Sequence, residues 1–299
     1  MDGLKVNLVS DHEIGTGASI FLFKEGAVGS YVIAGSASAS HELAVLEPEH
    51  SVPCVHGLML AGGSTFGLSA VEGIVRYLSE HDCGFRLPDA TVPLVPAAAL
   101  YDLNYLKPLA PRAENVYQAC FNASEDNDER GILGAGTGAT VGKLVSSASA
   151  MKSGLGRSSI TLGSGLEVVA YAAVNAVGDI YDKGQIVAGA CYSDGRWAES
   201  EKLLLSGQAE QDLFSGTNTT LISVFCNAKA DKASMRRVAK MAVAGIARAI
   251  SPIFSPYDGD TLFCFSLGDF EVSELMLGTI AAEQVRLAII DAVREAKTL

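Results

Sequence analysis

Residues 219–228, TTLISVFCNA, carry apolar side chains at both odd and even positions. Successive side chains of a strand point to opposite faces, so such a run is stable only in a sheet covered on both sides. The next segment supplies one cover. Residues 231–250, DKASMRRVAKMAVAGIARAI, place Val238, Met241, Ala242, Ile246 and Ala249 on one helical face. Residues 261–268, TLFCFSLG, form a second apolar run, and 273–297 repeat a helical spacing through Leu275, Ile280, Val285, Leu287 and Ile290. The order strand, helix, strand, helix, with strands that need cover on both faces, implies a layered α/β sandwich.

The first half of the chain is compatible with that plan. GSYVIAG (29–35) and PCVHGLMLAGG (53–63) predict buried strands ending in glycine turns. TFGLSAVEGIVRYLSE (65–80) predicts one amphipathic helix through Phe66, Val71, Ile74, Val75 and Leu78, with Ser64 or Thr65 as its N-cap. The proline-punctuated RLPDATVPLVPAAALYDL (86–103) predicts an ordered loop or edge against the core, and SEDNDERG (124–131) a solvated run. Two β-like runs occupy 158–182. The hydrophilic segment 193–218 is the best linker in the chain.

Several function classes are disfavoured. With 299 residues and 48% hydrophobic composition the chain can bury a large core, yet no apolar run approaches the roughly 20 residues of a membrane span. The start, MDGLKVNLVSDHEIGTG, lacks a basic region followed by a long apolar one, so a cytoplasmic location is expected. The six cysteines show no CxxC spacing and read as small buried hydrophobes. A formal charge of -12 argues against nucleic acid as a partner. The five histidines form no HExxH pattern, and neither a metal nor another cofactor is expected.

Four motifs could carry chemistry. GAGTGATVGK (134–143) has neither the spacing nor the hydroxyl residue of a phosphate loop, which leaves structural glycines or an anion-stabilising pocket lined by backbone N–H groups and Lys143. In YDGDT (257–261) an extended chain points Asp258 and Asp260 to one face; the alternative is a solvated turn. Asn175 interrupts an apolar run and must be hydrogen-bonded if buried, whether as a turn residue or an oxyanion donor. FSGTNTTLISVF (214–225) sets hydroxyls at a strand entrance, where threonine is ordinary. No histidine follows residue 81, however, and a nucleophilic threonine can use its own freed α-amine as base once the preceding bond is cut.

The blocks LAGGSTFGLSAVEGIVRYL (60–78), VPLVPAAALYDL (92–103), GAGTGATVGK (134–143), SGLG (153–156), VNAVGDI (174–180), NTTL (218–221) and DGDT (258–261) occur in this order over nearly the whole chain. In this it resembles the DmpA-type self-processing aminopeptidases, a family that includes β-peptidyl aminopeptidases and nylon-oligomer hydrolases. The resemblance implies an N-terminal-nucleophile type hydrolase with an αββα four-layer sandwich, shared with ornithine acetyltransferase. It implies a single catalytic domain, 1–299, that cuts itself between Asn218 and Thr219 into associated chains 1–218 and 219–299, assembling as a tetramer of such αβ pairs. Thr219 would be the nucleophile, Asp258 and Asp260 would orient it, and Lys143 and Asn175 would complete the catalytic centre, Asn175 as oxyanion donor. No cofactor is implied. The best-known aminopeptidase branch cuts at Gly–Ser and carries a tyrosine in the region of Lys143, so the Asn218–Thr219 form points to a small peptide, an amide or an ω-amino-acid oligomer as substrate. Acetyl transfer to an amine, as in ornithine acetyltransferase, and a non-catalytic oligomeric role are the competing readings.

Overall fold

The computed structural model describes residues 1–144, 150–207 and 218–296. Among the described residues, nine strands join into one large sheet: β1 (Lys5–Asp11), β2 (Thr16–Ile33), β3 (Ala39–His41), β4 (Val55–Ala61), β5 (Ala97–Ala99), β6 (Leu155–Thr161), β7 (Glu167–Asn175), β8 (Thr219–Ala228) and β9 (Thr261–Phe270). The spatial order is β6-β7-β8-β9-β2-β4-β5-β3, and β1 pairs with β2 as well. Pairing is antiparallel except for β8 with β9 and β4 with β5. The long strand β2 pairs with β4 through Ala18–Leu22 and with β9 through Val28–Ile33, so it joins the two halves of the sheet across a register shift between Leu22 and Ala27.

The pleat explains the two-faced apolar runs. Even-numbered residues of β7, β8 and β9, among them Val168, Ala172, Ile222, Val224, Leu262 and Cys264, bury against helices α5 (Lys232–Ala247) and α6 (Glu274–Glu295). Their odd-numbered neighbours, Tyr171, Leu221, Phe225, Phe263 and Phe265, meet Phe21, Phe23, Leu58 and Leu60 of β2 and β4 in a second core. The reverse face of β2, β4 and β5, with Ile20, Met59 and Ala97, packs on α2 (Val71–Glu80) and α3 (Ala113–Cys120) in a third. Aromatic rings dominate the middle core. Phe225 and Phe265 stack at 5.7 Å, and each fully buried ring contributes about 2 to 3 kcal/mol from area alone.

The C-terminal third follows the expected pattern closely: β8 spans the 219–228 run, and α5 and α6 are N-capped by the side chains of Asp231 and Ser273. Elsewhere the structure departs from expectation. The single helix expected over 65–80 is two, α1 (Ser64–Leu68) and α2, and neither Ser64 nor Thr65 caps it. The entry is held from a distance, because Gly63 N–H donates to Asp102 Oδ1 at 2.7 Å and Ser64 N–H to Leu100 O at 2.8 Å. The Ser69 hydroxyl then closes the first turn on Phe66 O, and Phe66, expected inside, is 71% exposed. Residues 97–99 lie inside the sheet, between β4 and β3, rather than in a loop or at its edge. Within the 193–218 segment, Ser200–Leu205 form helix α4, while 208–217 lie outside the described residues. Four cysteines are buried as expected, whereas Cys54 and Cys191 are half-buried. Among the described residues no helix is long and apolar enough to cross a membrane.

Candidate active site

Strands β8 and β9 run parallel and β7 runs against them, so the starts of β8 and β9 and the end of β7 share one end of the sheet. Asn175 therefore stands opposite Thr219 in register, and Asn218 bridges to Asp258 just before β9. Topology alone brings together residues that are 43 and 40 positions apart (175 to 218, 218 to 258).

The Asn218 carbonyl is the focus. Its oxygen accepts the Gly259 N–H at 2.8 Å and the hydroxyl of Thr219 at 2.5 Å, so the side chain of Thr219 lies against the carbonyl of the bond that precedes it. Thr220 N–H donates to Asp260 Oδ1 at 2.6 Å, and Asp258 Oδ2 accepts from the Ser255 N–H and hydroxyl at 3.0 and 2.5 Å. The remaining oxygens, Asp258 Oδ1 and Asp260 Oδ2, are buried with no hydrogen-bond partner among the described residues. Main chain holds this loop in place: Ser36 and Ala37 N–H donate to Asp258 O, and Ala34 and Gly35 N–H to Asp260 O. Gly259 has to be small, since a Cβ there would sit 2.7 Å from Thr219 Oγ1 and 2.8 Å from Ala37 O.

The other flank is built from side chains. Lys143 Nζ donates to Asn175 Oδ1 at 2.5 Å and to Asn175 O at 3.2 Å; Thr140 N–H donates to the same Oδ1, and Asn175 Nδ2 to Tyr101 O at 2.9 Å. The glycines of 134–143 answer to close approach: a Cβ on Gly136 would lie 2.1 Å from Leu155 N, and one on Gly142, at φ 73°, 1.9 Å from Ala190 N. The glycines of the loop thus answer to packing, and its lysine reaches Asn175.

Burial dominates the electrostatics. It pushes the Lys143 ammonium down to about 7, against the opposing pull of Asp258 and Asp102, with Lys152 adding to the fall. It holds the proton on Asp260 up to about 7, helped by the neighbouring charge of Asp258, whose own carboxyl is also raised by burial. Lys143 and Asp260 thus change charge near neutrality, the range in which general acid–base groups work. Among the described residues no cluster of three or more His, Cys, Asp or Glu could hold a metal ion.

The charges of Asp102 and Lys152 also bear on Lys143, and neither residue was singled out from the sequence. Their signals were faint: Asp102 ends the apolar AAALYD run, and Lys152 precedes the SGLG block. Only contacts between distant segments give them meaning.

The sequence model of peptidase family S58 matches residues 1–299. The chain belongs to peptidase family S58. This S58 chain is 35% identical over 264 residues to an uncharacterized aminopeptidase of Mycobacterium tuberculosis, covering 84% of the chain and 73% of the relative. It is 27% identical over 256 residues to a 6-aminohexanoate-oligomer endohydrolase of Agromyces, covering 79% and 71%. In structure it is similar to a Burkholderia β-aminopeptidase, with a TM-score of 0.72 at 18% identity over 98% of this chain and 84% of that one. It is also similar to the L-aminopeptidase D-Ala-esterase/amidase of Ochrobactrum anthropi, described as a new variant among the Ntn hydrolase fold. There the TM-score is 0.73 at 16% identity, over 99% and 85%. The S58 chain is a hydrolytic enzyme with a mixed α/β fold of this kind.

Proposed function

We propose that this S58 peptidase is an amide hydrolase that matures by breaking its own Asn218–Thr219 bond and then uses Thr219 as an N-terminal nucleophile. One observation carries the reading: the Thr219 hydroxyl lies on the Asn218 carbonyl, whose oxygen also receives the Gly259 N–H. In the first step Thr219 Oγ1 attacks the Asn218 carbonyl carbon, and the negative charge that develops on Asn218 O faces Gly259 N–H. The C–N bond then breaks, the hydroxyl proton passing through a neighbouring titrating group to the departing nitrogen, which leaves an ester on Oγ1. Water hydrolyses the ester to the Asn218 carboxylate, freeing the hydroxyl and α-amine of Thr219. A substrate amide is cut by the same sequence, now with the α-amine, of ordinary pKa near 8, as proton acceptor. The unpartnered oxygens of Asp258 and Asp260 supply acceptors for that new amine.

The three stacked cores support an αββα four-layer reading of the fold. The names of the relatives favour short peptides or ω-amino-acid oligomers as substrates. Assembly into a tetramer of αβ pairs has apolar surface available at Phe66 and Leu275, both more than 70% exposed. Six unpaired thiols suit a reducing cytoplasm. Intact mass tests the central claim: wild-type protein should give fragments 1–218 and 219–299, and Thr219→Ala a single inactive chain. A wild type that stays uncut yet hydrolyses amides overturns it.

A further inference from the structure

Asp102 is only 2% exposed, and nothing in the proposed cleavage uses it. Its Oδ1 accepts the Gly63 N–H at 2.7 Å; its Oδ2 has no hydrogen-bond partner among the described residues. Glycines make room for it: a Cβ on Gly62 would fall 2.2 Å from Oδ2, and one on Gly138 2.6 Å. Gly138 lies in the loop that delivers Thr140 N–H and Lys143 to Asn175. Lys152 grips the same loop, its ammonium donating to Ala139 O at 2.7 Å, Gly136 O at 3.3 Å and Ser153 O at 2.6 Å. Next to Asp102, Tyr101 O fixes the amide of Asn175. A buried carboxylate and a half-buried lysine thus clamp the two segments that orient Lys143 and Asn175.

We propose that Asp102 and Lys152 are positioning residues of the self-cleaving centre, acting on Lys143 in opposite senses through their charges. The inference rests on the cleavage reading above, with Lys143 as the group that takes up the hydroxyl proton of Thr219. Among the described residues, the charges of Asp258, before β9, and Asp102, after β5, favour the Lys143 proton, and that of Lys152, before β6, opposes it. Burial pushes Asp102 up to about 6 and Lys143 down to about 7, so Asp102 is largely ionised where Lys143 titrates. Burial likewise pushes Lys152 down to about 7, so it is partly charged in that range. Loss of the Asp102 charge removes an attraction for the Lys143 proton, and loss of Lys152 removes a repulsion.

The test follows self-cleavage of freshly translated full-length precursor by intact mass, in buffers from about pH 5 to about pH 9. The rate should rise with pH along an acid limb set by Lys143. Asp102→Asn, which keeps an acceptor for Gly63 N–H, should move that limb to lower pH by roughly half to one unit. Lys152→Met should move it to higher pH by a smaller amount. If Asp102→Asn yields no folded chain, the Lys152→Met shift decides alone. Slower cleavage with the limb unmoved would make the residues merely structural and overturn the proposal. A wild type that gives no fragment at any pH would instead overturn the cleavage reading, and this inference with it.

Discussion

The two flanks of Thr219 are built differently. On the Asp258–Asp260 flank, main-chain hydrogen bonds from residues 34–37 and a glycine at 259 fix the geometry. On the Asn175 flank, Lys143, Asn175 and the clamp of Asp102 and Lys152 do so with side chains and charge. A backbone donor cannot titrate and costs no reorganisation when charge develops, whereas a buried ammonium changes state near neutrality. The Gly259 N–H should therefore set how fast the Asn218–Thr219 bond breaks, and Lys143 where the acid limb of that rate lies.

Gly259→Ala should break the contrast most severely, because its Cβ cannot fit against Thr219 Oγ1 and the loop must move its N–H off Asn218 O. Cleavage should slow by about 10³-fold at every pH, read by intact mass, whereas an unaffected rate would remove Gly259 from the mechanism. On the other flank, Lys143→Met should cost about 10²-fold and abolish the acid limb near pH 7; Lys143→Arg should restore bulk but not the limb. Ser255→Ala removes one hydroxyl donor from Asp258 Oδ2 and should slow cleavage by roughly tenfold or less, with at most a small shift of the limb to lower pH as Asp258 holds its proton longer.

The smallest effect concerns stability. Asp260 keeps its proton to about 7 in the folded chain, against the ordinary 3.8, so the folded state binds more protons than the unfolded one between those values and stability falls as pH rises through that window. Lys143 acts in the opposite sense between about 7 and the ordinary 10.5: its depressed value adds stability as pH rises there. The site is thus most costly to the fold near pH 7. In the uncut Thr219→Ala chain, Asp260→Asn should raise Tm by a few degrees at pH 7 and by less at pH 4, measured by thermal melts. Equal melting at both values would mean that Asp260 is ionised in the folded chain.

Much of the molecule was legible in advance where local pattern and tertiary role coincide. The 219–228 run, the capped helices after it and the glycine ends of the early strands each carry their own signal within a few residues. Of the five residues named from motifs, Thr219, Asn175, Asp258 and Asp260 lie on segments that the sheet brings to one end, and Lys143 reaches Asn175 from a loop outside it. Local pattern failed where partners are remote. The helix expected at 65–80 is two helices whose entry is held by residues 100 and 102, and the AAA of 97–99 becomes an interior strand only because β4 and β3 lie on either side.

Residue types and periodicity by themselves determined that the chain must stack helices on sheets apolar on both faces, and that a hydroxyl stands at a strand entrance with no histidine downstream. Only the tertiary structure decided that Gly259 N–H and Thr219 Oγ1 meet on the Asn218 carbonyl, and that Lys152 holds Ala139 O in the loop that carries Lys143. The physical reason is range. Periodicity is a property of neighbours in the chain, whereas hydrogen-bond geometry and the desolvation that shifts a pKa depend on which distant segments close around a group.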